Sequence, residues 1–399
     1  MIDFYSSKKK NLPRFLYRNY VNHIKKNNIN NVDALKIFQK IIDSATGGDF
    51  NKFTWNLPIY YKHNFEKEFI LKLREILKNK RKKKLKKITK LIYPHVSDEF
   101  SLNFDFLSQI FDTDNFPKFK NTDIFFSFGS CFARNFTTFL KTKNIEASNF
   151  GQIEDLNSPG SNSTILKCIH LEKKDLEKYI INNVNIFWKT SSNYKKDEIV
   201  KKKIEEIQNL KNQFLKANKI IITLGNIIDY YTKKNNKDIL APKFISIETE
   251  DINQKTKSNQ KMLSSKTYLR MSSFSETRSY IFNIYESIRK ISNNIDIIFT
   301  VSPVPIDNVL GIENKLNLNA IEIDCISKST IRAALYELMI SEIIKDKKCF
   351  YLPSYEIIKW VAPMIGKQVY GFDDAASRHV SNIYLNTVCE FIYFHSFEL

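Results

Sequence analysis

Glycine is scarce in this chain: nine in 399 residues, beside ten prolines and three tryptophans. Neither a phosphate-binding P-loop nor a dinucleotide fingerprint can be found. Five cysteines stand at 131, 168, 325, 349 and 389. An odd number at such irregular spacing excludes a disulfide framework and paired-cysteine metal knuckles. Six scattered histidines without His-Glu-x-x-His spacing supply no metal set either, so no metal is expected. Long apolar runs are missing too. Stretches such as Ile295–Val301 have the length of a buried strand, far below the roughly 18 residues that a bilayer span needs. The opening Met1–Lys10 segment has cations with no apolar run behind them, which reads as no secretory signal. With unpaired cysteines, the expected compartment is the cytoplasm.

What the chain does have is lysine. Lys and Arg number 62 against 43 Asp and Glu, a net charge of +19. Residues 1–120 hold 25 of the cations and 12 of the acids, net +13, while 121–399 hold 37 and 31, net +6. The run Lys78–Lys90 alone has nine cations and no acid. Nucleic-acid readers interleave aromatics or a motif with their charge, and this run has neither, so nucleic acid is not expected as a partner. It reads as a solvated face that can serve as a peripheral contact with an anionic surface.

Residues 1–120 read as a basic, largely helical region, with helical patterns at Val32–Ser44 and from about Phe65 to Lys90. From about Thr122 the texture changes. Apolar runs at Ile124–Phe128, Ile220–Leu224, Ile295–Val301 and Cys349–Leu352 alternate with helical patterns near Ala133, over Asp197–Ala217, over Phe274–Ser292 and over Ser329–Ile344. Strands apolar on both faces and separated by helices predict a parallel α/β sheet. Ligands of such sheets sit at the carboxyl ends of the strands. Two of the scarce glycines, Gly129 and Gly225, stand at such ends, followed by Ser130-Cys131 and Asn226.

Cys131 lies between a strand and a helix, as a nucleophile on a sharp turn does. The partial positive charge of the helix N-terminus favours its thiolate, and the same backbone N–H groups can hold an oxyanion. His379, in Asp373-Asp374-Ala-Ala-Ser-Arg-His379, is the candidate base, with carboxylates nearby in sequence to orient it. Taken singly, the cysteine reads equally as a small buried hydrophobe and the histidine as a helix-cap residue.

Phe128-Gly-Ser-Cys-Phe-Ala133 resembles the signature of the GSCFA-domain family, itself similar to the SGNH (GDSL) hydrolases. Asn157-Ser-Pro159, Ile222-Thr-Leu-Gly225, Phe274-Ser-Glu-Thr277, Thr300–Pro305, Ser327–Ala334, Tyr351–Ile357 and Arg378-His-Val-Ser381 follow in the family's order. The resemblance covers about residues 120–395. It implies a three-layer, flavodoxin-like parallel sheet over 121–399, with 1–120 as the basic, mostly helical extension.

It also implies an enzyme acting on acyl esters, an esterase or an acyltransferase, with a carbohydrate or polysaccharide as substrate. No cofactor is implied; acyl-CoA enters only as co-substrate of a transferase. Laid on the hydrolases' Gly-Asp-Ser block, Cys131 takes the nucleophile's place, with Ser130 the alternative. His379 is the base and Asp374 its orienting carboxylate. Gly129, the Cys131 N–H, Gly151 and the Gly225-Asn226 pair contribute to oxyanion or substrate binding, and Glu356 and Arg278 are candidates for the pocket wall. Two places depart from the hydrolase pattern. Two residues after Gly225 stands Ile227, and three before His379 stands Ala376, with Asp374 five before it. The alternative is a non-catalytic carbohydrate-binding or polysaccharide-assembly protein that keeps the fold.

Overall fold

The computed structural model describes residues 33, 36, 107, 110–150, 157–187, 196–242, 267–306, 309, 311–313, 316–341, 345–365, 368–373 and 378–397. The expected helices of residues 1–120 and the Lys78–Lys90 run lie outside them, apart from Asp33 and Lys36. These two are helical and form an i,i+3 ion pair at 3.1 Å. The chain divides into two units: residues 1–120, 359–368 and 383–399 form one, and 121–358 with 369–382 the other.

The second unit is an α/β fold. Its strands are β1 (Phe125–Gly129), β2 (Ala147–Asn149), β3 (Lys219–Leu224), β4 (Ile228–Lys234), β5 (Lys237–Ala241), β6 (Thr267–Met271), β7 (Asp296–Val301) and β8 (Cys349–Tyr351). Helices α1 (Cys131–Thr142), α2 (Pro159–Ile169), α3 (Lys173–Phe187), α4 (Lys196–Lys216), α5 (Phe274–Arg289) and α6 (Ala320–Ile340) flank and connect them. Five strands form a parallel sheet in the order β2-β1-β3-β7-β8. All four strands expected from the apolar runs are in it.

The three middle strands explain that legibility. Every residue of β1 and β7, and all but the first of β3, is buried, so neither face alternates with polar residues. The register sets Gly129 beside Thr223 and Thr223 beside Thr300, which aligns the carboxyl ends of β1, β3 and β7. Their amino ends are held by charge: Lys219 Nζ lies 2.5 Å from Asp296 Oδ2 and 3.5 Å from Asp123 Oδ2. The Phe126, Phe128 and Phe214 rings pack together below, with centroids 5.7–6.4 Å apart.

Helix starts are fixed by side-chain caps. Ser130, Ser158, Ser273 and Asn319 each accept a backbone N–H of the following helix, and Ser273/Glu276 and Asn319/Glu322 complete reciprocal capping boxes. The Asn319 box starts α6 at Ala320, nine residues before the sequence periodicity places it.

A second sheet, β5-β4-β6, is antiparallel and was not foreseen. Its β4–β5 hairpin turns on Asn235-Asn236, with φ of 51° and 59°, the left-handed pair that a tight hairpin demands.

In the first unit the last helix, α7 (Asn382–Ser396), stacks Phe391 edge-on against Phe116, with centroids 5.7 Å apart. Phe119 bridges to Phe397. Among the described residues no helix is long and apolar enough to cross a membrane.

Candidate active site

Gly129 ends β1 with φ at +112°, and a Cβ there would lie 2.0 Å from Thr223 O. Both facts exclude any side chain, so the scarce glycine is spent on passing β1 against β3 and turning at once into α1. Ser130 N donates to Thr223 O at 3.3 Å. Ser130 is 2% exposed, and its Oγ accepts from Phe132 N at 3.3 Å, so its hydroxyl serves as the cap of α1. Cys131 is the first helical residue and is half-buried. Its position is one where the helix dipole stabilises an anion. The other thiols differ. Burial pushes Cys168 and Cys349 up to about 12 and raises Cys389 further, while Cys325 is exposed.

At the end of β3, Gly225 and Asn226 meet Asn157. The Asn157 carbonyl accepts both Gly225 N (2.6 Å) and Asn226 N (3.2 Å). Its side chain fills the space where a Gly225 Cβ would be, 2.0 Å from Oδ1. The two strand-end N–H groups are therefore already engaged. Asn226 Oδ1 accepts from Ile228 N at 2.9 Å, so what that side chain has to offer is its Nδ2 hydrogens.

Behind this corner lies Asp229, 1% exposed, whose carboxylate receives the hydroxyls of Ser158, Ser161 (3.0 Å) and Ser272 (3.3 Å). Ser158 is the cap of α2 and the neighbour of Asn157, so the buried carboxylate anchors the segment that engages Gly225. The sequence places Asn157 in a family-like segment and Asp229 just after a strand end, but assigns neither a chemical role. The signal available was a single acid among the apolar residues after Gly225.

His379 is exposed, on a segment returning toward the sheet. Its carbonyl accepts from Gly371 N at 2.8 Å, and Tyr370 bridges to Val380. Tyr370 OH donates to Pro303 O at 3.0 Å, which ties the segment to the loop after β7. The segment that holds the histidine is thus tied to the carboxyl end of β7, two strands along from β1, whose carboxyl end leads into Cys131. Asp373 accepts from Asn382 N at 2.5 Å, at the start of α7. Asp374 and Gly151 lie outside the described residues.

Glu356 is placed apart from these groups, beyond β8, the outer strand. Its carboxylate receives Tyr351 OH (2.8 and 3.0 Å) and Arg332 Nε (2.7 Å), and the guanidinium lies 4.3 Å over the Tyr351 ring. Arg278 pairs with Glu337 at 2.8 Å, between α5 and α6.

These elements define a parallel α/β protein with a cysteine on its first strand-to-helix turn and a histidine segment tied to the carboxyl end of β7. Residues 124–391 match the GSCFA family, and the chain belongs to that family. No curated protein matches the chain.

Proposed function

We propose that this chain is an SGNH-like enzyme acting on acyl esters, as an esterase or as an acyltransferase with a carbohydrate acceptor, in the cytoplasm. The sheet order, 2-1-3-4-5 when its own strands are counted, supports the flavodoxin-like, three-layer reading of the fold. The observation that carries the function is the position of Cys131: first residue of α1, half-buried, on the turn that opens two residues earlier at Gly129, where a positive φ and the close approach of Thr223 leave no room for a side chain.

In this mechanism His379 removes the thiol proton and Cys131 attacks the acyl carbonyl. The oxyanion is held by the Cys131 N–H, Gly151 and Asn226 Nδ2. Collapse expels the alcohol or thiol, protonated by His379, and leaves an acyl thioester. Water or a sugar hydroxyl, deprotonated by His379, then takes the acyl group and frees the thiol. Asp374 orients the imidazole. Ser130 is the weaker nucleophile because its hydroxyl caps α1.

The test is incubation with acetyl-CoA and with an aryl acetate, followed by intact-mass spectrometry and product assay. The wild type acquires an acetyl group or turns over, and Cys131→Ala does neither. Equal rates for the two proteins would end the assignment. A second reading, a carbohydrate-binding protein without chemistry, is favoured by the engagement of the Gly225 and Asn226 N–H groups with Asn157. It requires glycan binding that His379→Ala leaves unchanged, and no adduct on Cys131.

A further inference from the structure

Two lysines lie near opposite ends of β3, Lys328 buried and Lys219 mostly so. Lys219, at the amino end, has the usual company of a buried cation, the carboxylates of Asp296 and Asp123. Lys328, on α6, is 1% exposed, and its Nζ donates to two backbone carbonyls, Gly225 O at 2.5 Å and Val304 O at 2.9 Å. Asp324 Oδ1, one helical turn back, is 3.7 Å from the ammonium and accepts from Ile306 N at 3.0 Å. Taking an ammonium out of water is costly, and a methionine would fill the same space without that cost. The two carbonyls belong to the segments that carry the remaining groups of the site. Gly225 precedes Asn226. Val304 follows Pro303, whose carbonyl receives Tyr370 OH, and Tyr370 begins the bridged segment that holds His379.

We infer that Lys328 is a positioning residue: its ammonium ties the end of β3 to the end of β7 and so keeps Asn226 and the His379 segment in register. Its effect on catalysis rests on the acyl-ester reading above; the tie itself does not.

The experiment compares Lys328→Met with Lys219→Met, which removes a mostly buried cation from the far end of the same strand. Native-state hydrogen exchange reads the tie. Amides around Asn226 and Tyr370 exchange faster in Lys328→Met and at the wild-type rate in Lys219→Met. With p-nitrophenyl acetate, kcat of Lys328→Met falls by about 10- to 100-fold at a KM within about twofold, the effect of a small misplacement of reacting groups. Lys219→Met loses urea resistance but keeps kcat within about twofold. Should Lys328→Met not fold, Lys328→Gln, whose shorter side chain keeps an amide NH2 for the carbonyls, takes its place and is expected to exchange faster than wild type around Asn226 and Tyr370 and to have a lower kcat.

Unchanged exchange around both Asn226 and Tyr370 would overturn the tie, and an equal loss of kcat in the two methionine variants would overturn the positioning role. A wild type inert to the ester, and without an acetyl adduct, would instead remove the acyl-ester reading and the catalytic role with it. The exchange comparison would still decide the tie.

Discussion

Replacing Gly225 with alanine puts a methyl where the Asn157 side chain already lies. The new Cβ would be 2.0 Å from Oδ1, 2.5 Å from Cγ and 2.6 Å from Nδ2, all closer than real Cβ contacts come. The backbone of Gly225 is not in the left-handed region, so the cost is steric alone. Asn157 has little freedom to yield, because its carbonyl is held by two N–H groups and its Oδ1 is buried. Overpacking of this kind costs about 1–3 kcal/mol. Gly225→Ala is therefore expected to destabilise by about 2 kcal/mol. Asn157→Ala vacates the same volume and leaves the backbone carbonyl in place, so the double variant should recover most of that loss, a coupling energy of about 1–2 kcal/mol.

Gly129 supplies the contrast. Its Cβ would strike the backbone of Thr223, 2.0 Å from O and 2.8 Å from C, at a positive φ, and no side-chain deletion can relieve that. Strain and clash together make about 4 kcal/mol or more for Gly129→Ala. Urea unfolding of the four variants, read by circular dichroism, measures all of this. A neutral Gly225→Ala, or a cost that Asn157→Ala leaves untouched, would refute the packing argument.

The remaining expectations concern thiols and pH. Native protein treated with iodoacetamide at neutral pH should be labelled at Cys131 and Cys325 and spared at Cys168, Cys349 and Cys389, whose burial holds them as thiols. Peptide mapping shows the pattern, and labelling of all five in urea is the control. Hydrogen bonds from Arg270 lower Glu276 from 4.5 to about 2. A depressed carboxylate contributes stability above its unfolded pKa and loses it as the pH falls through the folded one. Glu276→Gln should therefore be less stable than wild type at neutral pH by about 1 kcal/mol, a value reduced for the partial exposure of the pair. The difference should close between about pH 4.5 and 2 in urea titrations.

The parallel sheet was legible because β1, β3 and β7 are buried on both faces and so appear as unbroken apolar runs next to the two informative glycines. The antiparallel sheet was hidden: β4 alternates half-buried and buried residues, the buried ones being Asp229 and Tyr231 rather than aliphatics, before two exposed lysines, and β6 is mostly half-buried. Lys328 falls within the family-like segment Ser327–Ala334, which does not by itself reveal a role for it. Helical spacing carried the signal, since Asp324, Ser327 and Lys328 share the buried face of α6 with Ile323, Ile331 and Leu335. A lysine and an aspartate four apart on a core-facing stripe need partners, and these are the Gly225 and Val304 carbonyls for the lysine and the Ile306 N–H for the aspartate, all distant in sequence, which local pattern does not show. Asn157 stands in a family-like segment, but the contact it makes with the end of β3 is hidden for the same reason. It works through its backbone carbonyl and its bulk, to which residue type is an indirect guide.

The departure from the hydrolase pattern two residues after Gly225 has a structural counterpart that bears on mechanism. Ile227, two residues after Gly225, is 2% exposed and belongs to the hydrophobic core. An amide at that position would be a buried polar group in an apolar setting, so the change of residue follows from where the chain runs. Asn226 is half-buried, with its carbonyl oxygen turned to Ile228 N, and both strand-end N–H groups face Asn157. On the acyl-ester reading, the oxyanion at Cys131 is accordingly assigned to side-chain hydrogens of Asn226, to Gly151 and to the β1–α1 turn, not to the Gly225 and Asn226 backbone N–H groups. Asn226→Asp tests that division with the shape kept: it replaces the donor by an acceptor, and on the acyl-ester reading it should lower kcat at least 10-fold, about the contribution of one oxyanion donor, with little change in KM. A variant with wild-type kcat would refute the role of Asn226 and leave the oxyanion to Gly151 and the turn.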